Sequence, residues 1–95
     1  MKELHELRQE LDQLDREMVT LFERRMAVSR QVALYKHAHG LPVLDQGREE
    51  QVLASRAAML SDPSLAPALR TLYEAVMALS REEQETCLRE VRGDA

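Results

Sequence analysis

Arg25 stands where an apolar residue is due. Apolar side chains fall at Leu4, Leu7, Leu11, Leu14, Met18 and Leu21 and resume at Val28, Val32 and Tyr35, so the slot between them holds a guanidinium. A buried cation without an anion costs several kcal/mol. Arg25 therefore snorkels to solvent, pairs with a carboxylate of the chain, or holds an anionic ligand. Lys36 lies eleven residues on, three turns later and close to the face of Arg25 and Ser29. It reads as a cation complementing a helix C-terminus or as a second ligand cation. Arg8 flanks the same seam near its other end and, taken alone, is a surface charge.

A second set opens with Asp45-Gln46-Gly47-Arg48-Glu49. Asp45 and Glu49 are four residues apart and share a helical face, with Arg48 in the same turn. They are an N-cap with dipole-matching acids, or they include a carboxylate that accepts a hydroxyl hydrogen bond beside an anion-binding Arg48. Ser80 and Gln84 continue the apolar stripe of Leu69, Leu72 or Tyr73, and Val76 at i, i+4 spacing. Polar residues there are a pocket wall or the emergence of a helix into solvent. The chain shows no nucleophile–base motif, Gly-rich phosphate loop or metal-ligand cluster, so no cofactor and no metal are expected. His37 and His39 lack Cys or further His partners and are read as exposed in a loop-like stretch. Cys87 reads as a small buried or half-buried hydrophobe.

These residues need elements to hold them. Across 95 residues, 17 Asp and Glu outnumber 13 Lys and Arg for a net charge of −4, which argues against a nucleic-acid partner. Helix formers dominate and only two Tyr and one Phe are present, so an all-α single domain is expected. The N-terminus MKELHELRQELDQ has no signal-peptide core and no apolar run reaches membrane length. With a single Cys, this points to a cytoplasmic protein with no membrane partner.

Three helices per chain are expected, one long and two shorter. The first spans about residues 3–37, since no Gly or Pro interrupts the chain before Gly40. The second spans about 45–61, capped by Asp45 and running through Arg48, Val52, Leu53, Ala57 and Leu60, with Gly47 weakening its first turn and Asp62-Pro63 ending it. The third spans about 65–91, capped by Ser64, with Pro67 in its first turn, a buried stripe of Leu69, Leu72, Tyr73, Val76 and Leu79, and fraying from Arg92 to Ala95.

The first helix is too long for one small globule. About 33 residues make a rod of roughly 50 Å, against a diameter of about 32 Å for a compact domain of this size. A second copy is expected to cover it. Arg8 and Arg25 are 17 residues apart, roughly 25 Å along one helix, too far to hold one small molecule. Two copies packed antiparallel about an axis near residue 20 set Arg8 of one chain opposite residue 32 of the other, between Arg25 and Lys36. A homodimer thus converges three cations twice over, a match for a small-molecule dicarboxylate.

The order Arg8, Arg25, Lys36, Asp45-x-x-Arg48-Glu49 and Ser80-x-x-x-Gln84 resembles the all-α (AroQ) class of chorismate mutases, from Leu4 to about Gln84. Leu14-Asp15, Glu23-Arg24-Arg25 and Pro42-Val43 also match in spacing. The resemblance implies an intertwined homodimeric helical bundle whose active sites each borrow one Arg from the other subunit. It implies the Claisen rearrangement of chorismate to prephenate, at the branch toward Phe and Tyr, without a cofactor. Arg25 and the partner subunit's Arg8 would clamp the carboxylates, while Ser80 and Arg48 help position the substrate. Lys36 and Gln84 would donate to the ether oxygen, and Glu49, beside Asp45 and oriented by Arg48, would accept from the ring hydroxyl. Ser29 and Arg81 depart from the pattern, lying near positions where the family often has apolar pocket residues, and bear on substrate preference and turnover. An isochorismate pyruvate lyase of the same fold and a non-enzymatic dimeric helical module stand as alternatives, and association with another shikimate-route enzyme is left open.

Overall fold

The computed structural model describes residues 1–93 and contains three α-helices, with no strand among the described residues. Helix α1 (Leu4–Ala38) runs unbroken for 35 residues. Its first turn has no side-chain cap, and the Glu3 carbonyl accepts from Glu6 and Leu7 N–H at 3.0 and 3.1 Å instead. The helix ends through Gly40, whose φ of +66° is the left-handed region. Leu41 N–H then reaches back to the Lys36 carbonyl at 2.8 Å, the six-to-one bond of a Schellman motif. The expected end of α1 near residue 37 thus becomes Ala38, which puts His37 in the last helical turn and not in a loop. His39 Nδ1 donates to the Tyr35 carbonyl at 2.8 Å, and its ring stacks on that of Tyr35.

Helix α2 (Gln46–Ala57) is capped as expected, Asp45 Oδ1 accepting from Arg48 N–H at 3.0 Å. It stops four residues short of Ser61. Met59 and Leu60 N–H bond three residues back, to Arg56 and Ala57, and Asp62 is extended because the residue before a proline avoids helical angles. The cap at the next junction is Asp62 and not Ser64. Asp62 Oδ1 accepts from Ser64 N–H at 3.0 Å and from the Ser64 hydroxyl at 2.6 Å. Those bonds, the hydroxyl's foremost, hold the Asp62 carboxyl below the usual carboxylate range. A 3-10 turn (Pro63–Leu65) then feeds directly into α3 (Ala66–Arg92), with Pro67 in its first turn. Gly93 closes α3 in the left-handed region, and the expected fraying at Asp94 and Ala95 lies outside the described residues.

The core sits where the second half of α1 meets the second half of α3. Ala33, Cys87 and Leu88 are buried together with Val43 against them. The Cys87 thiol faces the Arg30 carbonyl at 3.7 Å. Arg30 also bridges to Glu83 at 2.7 Å and to Glu90, and these carboxylates, Glu83 foremost, raise its pKa above the ordinary arginine value. The buried face of α3 is therefore Met77, Ser80, Gln84, Cys87 and Leu88. The expected stripe is less covered: Leu69, Tyr73 and Val76 are half-buried, and Leu72 and Leu79 are exposed. The reason is reach, because α1 lies along the later turns of α3 and the short α2 shields only part of the earlier ones.

The first half of α1 projects away from this core. Every residue from 1 to 24 is exposed, including the apolar series Leu4, Leu7, Leu11, Leu14, Met18 and Leu21. The result is a radius of gyration of 16.9 Å and a long axis of 55 Å, against about 12 Å for the radius of a compact chain of this length. Among the described residues, no helix is long and apolar enough to cross a membrane.

Candidate active site

Three elements enclose a cavity of about 290 Å³. The later turns of α1 contribute Arg25, Ser29 and Lys36, the opening turn of α2 contributes Asp45, Arg48 and Glu49, and α3 contributes Ser80, Arg81 and Gln84. Val28, Val32, Val43, Val52 and Met77 form the apolar remainder of the wall. Seven of the eight residues singled out from the sequence thus line one space. Arg8 does not: it lies on the exposed, projecting half of α1.

Each charged group is held differently. Arg25 is half-buried and makes no hydrogen bond or ion pair with the described residues, so none of their carboxylates answers it. Lys36 is anchored by the turn that follows its helix, Nζ donating to the Val43 carbonyl at 2.7 Å. Its own carbonyl takes the Schellman bond, so the chain reversal at Gly40 and the position of this ammonium are one structure. Arg48 gives its backbone N–H to Asp45 and its guanidinium to Gln51 Oε1 at 2.8 Å.

Glu49 is oriented from α3 and not by Arg48. Arg81 NH1 faces both carboxylate oxygens of Glu49, and the two side chains are 35% and 25% exposed. Thirty-two residues separate them, and only the packing of α2 on α3 brings them together. Ser80 and Gln84 are buried, so the polar continuation of the stripe is a cavity wall and not an exit into solvent. The Ser29 and Ser80 hydroxyls are 2.6 Å apart, and Gln84 Nε2 donates to Ser80 Oγ at 3.5 Å. Gln84 Oε1 is buried without a hydrogen-bond partner among the described residues.

The lining carries four cations, Arg25, Lys36, Arg48 and Arg81, against two acids, Asp45 and Glu49. A cationic cavity in a chain of net charge −4 is a local device for anions. Its cationic N–H donors and buried hydroxyls suit it to binding and polarising a carboxylate-bearing molecule.

The chain matches chorismate mutase type II over residues 7–85. It belongs to that family. The matched range takes in all eight residues, from Arg8 to Gln84. A T-protein of Haemophilus influenzae is 45% identical over 56 residues, which are 59% of this chain and 15% of that protein. A 4-amino-4-deoxychorismate mutase of Streptomyces venezuelae is 34% identical over 76 residues, 79% of this chain and 74% of its own length. A second protein of that name, from Streptomyces pristinaespiralis, is 32% identical over 85 residues, 88% of this chain and 61% of its own. The chain therefore spans only a small part of the T-protein it resembles. Within the chorismate mutase type II frame, Arg81 and Ser29 are the cavity residues that the sequence pattern marked as departures and did not assign to the site.

Proposed function

We propose that this chain is a chorismate mutase that works as a homodimer, converting chorismate to prephenate at the branch toward Phe and Tyr. The observation that carries the reading is Arg25, half-buried and unpaired among the described residues, in a cavity where Lys36, Glu49, Ser80 and Gln84 converge in family order. The rearrangement breaks the ether C–O bond of the enolpyruvyl side chain and forms a C–C bond in the same step. It needs no proton transfer and no nucleophile. The protein's work is to hold the compact conformer of a flexible dianion and to stabilise the charge growing on the ether oxygen.

In this reading Arg25 grips one carboxylate, and Arg8 of the partner subunit approaches from the far side. Ser80 and the start of α2, with Asp45 and Arg48, position the ring. Lys36 and Gln84 donate to the ether oxygen, and Glu49 accepts from the ring hydroxyl. Supporting the dimer are the bare apolar stripe of α1 and the absence of Arg8 from its own chain's cavity. The relatives' names supply a second reading, in which the substrate carries an amino group in place of that hydroxyl.

Incubating the purified protein with chorismate, following its loss and identifying the product tests the proposal. Prephenate is expected, and Lys36→Ala should lower kcat about 100-fold by removing a charged transition-state donor. Release of pyruvate would point to the lyase, and no turnover to a non-enzymatic module. A near-normal kcat for Lys36→Ala would remove that residue from the mechanism.

A further inference from the structure

The pair formed by Arg81 and Glu49 bears on which ring substituent the cavity accepts. A bare carboxylate recognises an ammonium more strongly than a neutral hydroxyl, because the hydrogen bond is then charge-assisted on both sides. Glu49 is not bare. One guanidinium nitrogen of Arg81 faces both its oxygens, and Arg81 itself lines the cavity. The remaining lone pairs of the carboxylate still accept an O–H, while its negative charge is cancelled at close range. The wider lining works in the same direction, since Arg25, Lys36 and Arg48 outnumber Asp45, the remaining acid.

We propose that Arg81 is a specificity-determining positioning residue that, by neutralising Glu49, makes the cavity select a ring hydroxyl over a ring ammonium. The inference rests on the reading of Glu49 as the acceptor of that substituent. An allylic amine is protonated at neutral pH, so the amino analogue of chorismate meets Arg81 as a like charge. It also brings one less net negative charge to a cationic cavity. Because a single nitrogen of Arg81 serves both oxygens, a lysine ammonium can replace its charge, unlike at a two-pronged arginine site.

The experiment compares kcat/KM for chorismate and for 4-amino-4-deoxychorismate in the wild type, Arg81→Met and Arg81→Lys. The wild type is expected to favour chorismate. Arg81→Met should move the ratio toward the amine by about tenfold or more, the effect of deleting one charge a few ångströms away. Arg81→Lys should retain most of the wild-type ratio. A merely structural Arg81 would lower both rates together and leave the ratio unchanged, which would overturn the inference. A wild type that prefers the amine, or a lysine variant that shifts as far as the methionine one, overturns it as well. Failure of the wild type to turn over either compound would instead contradict the mutase reading on which the inference stands.

Discussion

Gln84 is 7% exposed and carries a buried carbonyl oxygen with no partner among the described residues, beside an amide nitrogen weakly engaged with Ser80. A neutral amide donates at any pH. Under the proposed assignment, the wild-type rate should carry no titration from this position. A Glu there donates only when protonated, and burial favours its neutral form. Gln84→Glu should therefore lose activity at neutral pH and recover it as the pH falls toward about 5, read as kcat/KM against pH. A variant whose profile matches the wild type's would remove Gln84 from the ether oxygen. At this scale much of the site was legible. Arg25 betrayed itself by interrupting an apolar series, and Ser80 and Gln84 by taking one over. The Arg81–Glu49 pair was not legible, because no local spacing links residues 32 apart on different helices.

Among the elements, the turn after α1 links fold to chemistry most directly. Gly40 adopts φ +66°, with open space where a side chain would go, so a substitution there meets conformational strain and no clash. Gly40→Ala should cost about 1 kcal/mol of stability, measured by denaturant unfolding. It should also lower kcat by loosening the bond between Lys36 and Val43. Unchanged stability would mean that the Schellman turn does not set the helix end. The length of α1 was legible because no Gly or Pro precedes this turn. The end of α2 and the cap of α3 were not. After Ala57 the N–H groups of Met59 and Leu60 bond three residues back, which no spacing announces. Asp62 holds the Ser64 N–H and hydroxyl to cap the 3-10 turn, where the pattern alone favoured Ser64 as the cap of α3. The buried face of α3 was misjudged for a tertiary reason, since burial follows where α1 lies and not where α3 is most apolar.

For the whole molecule, the projecting half of α1 leaves its leucines in solvent. Leu11 is 57% exposed and its neighbours on the stripe are similarly bare, a state that a second copy would relieve. The mismatch between helix length and globule size was already legible in 95 residues, and the 55 Å long axis gives it its physical form. If a chorismate mutase site is completed across two copies, mixing two variants with different lesions restores it. Arg8→Ala and Arg25→Ala should each be nearly inactive alone. After subunit exchange at equal amounts, half the dimers are mixed and one of their two sites keeps both arginines, so about a quarter of wild-type activity should return. No recovery, with exchange demonstrated by a tagged subunit, would contradict the shared site.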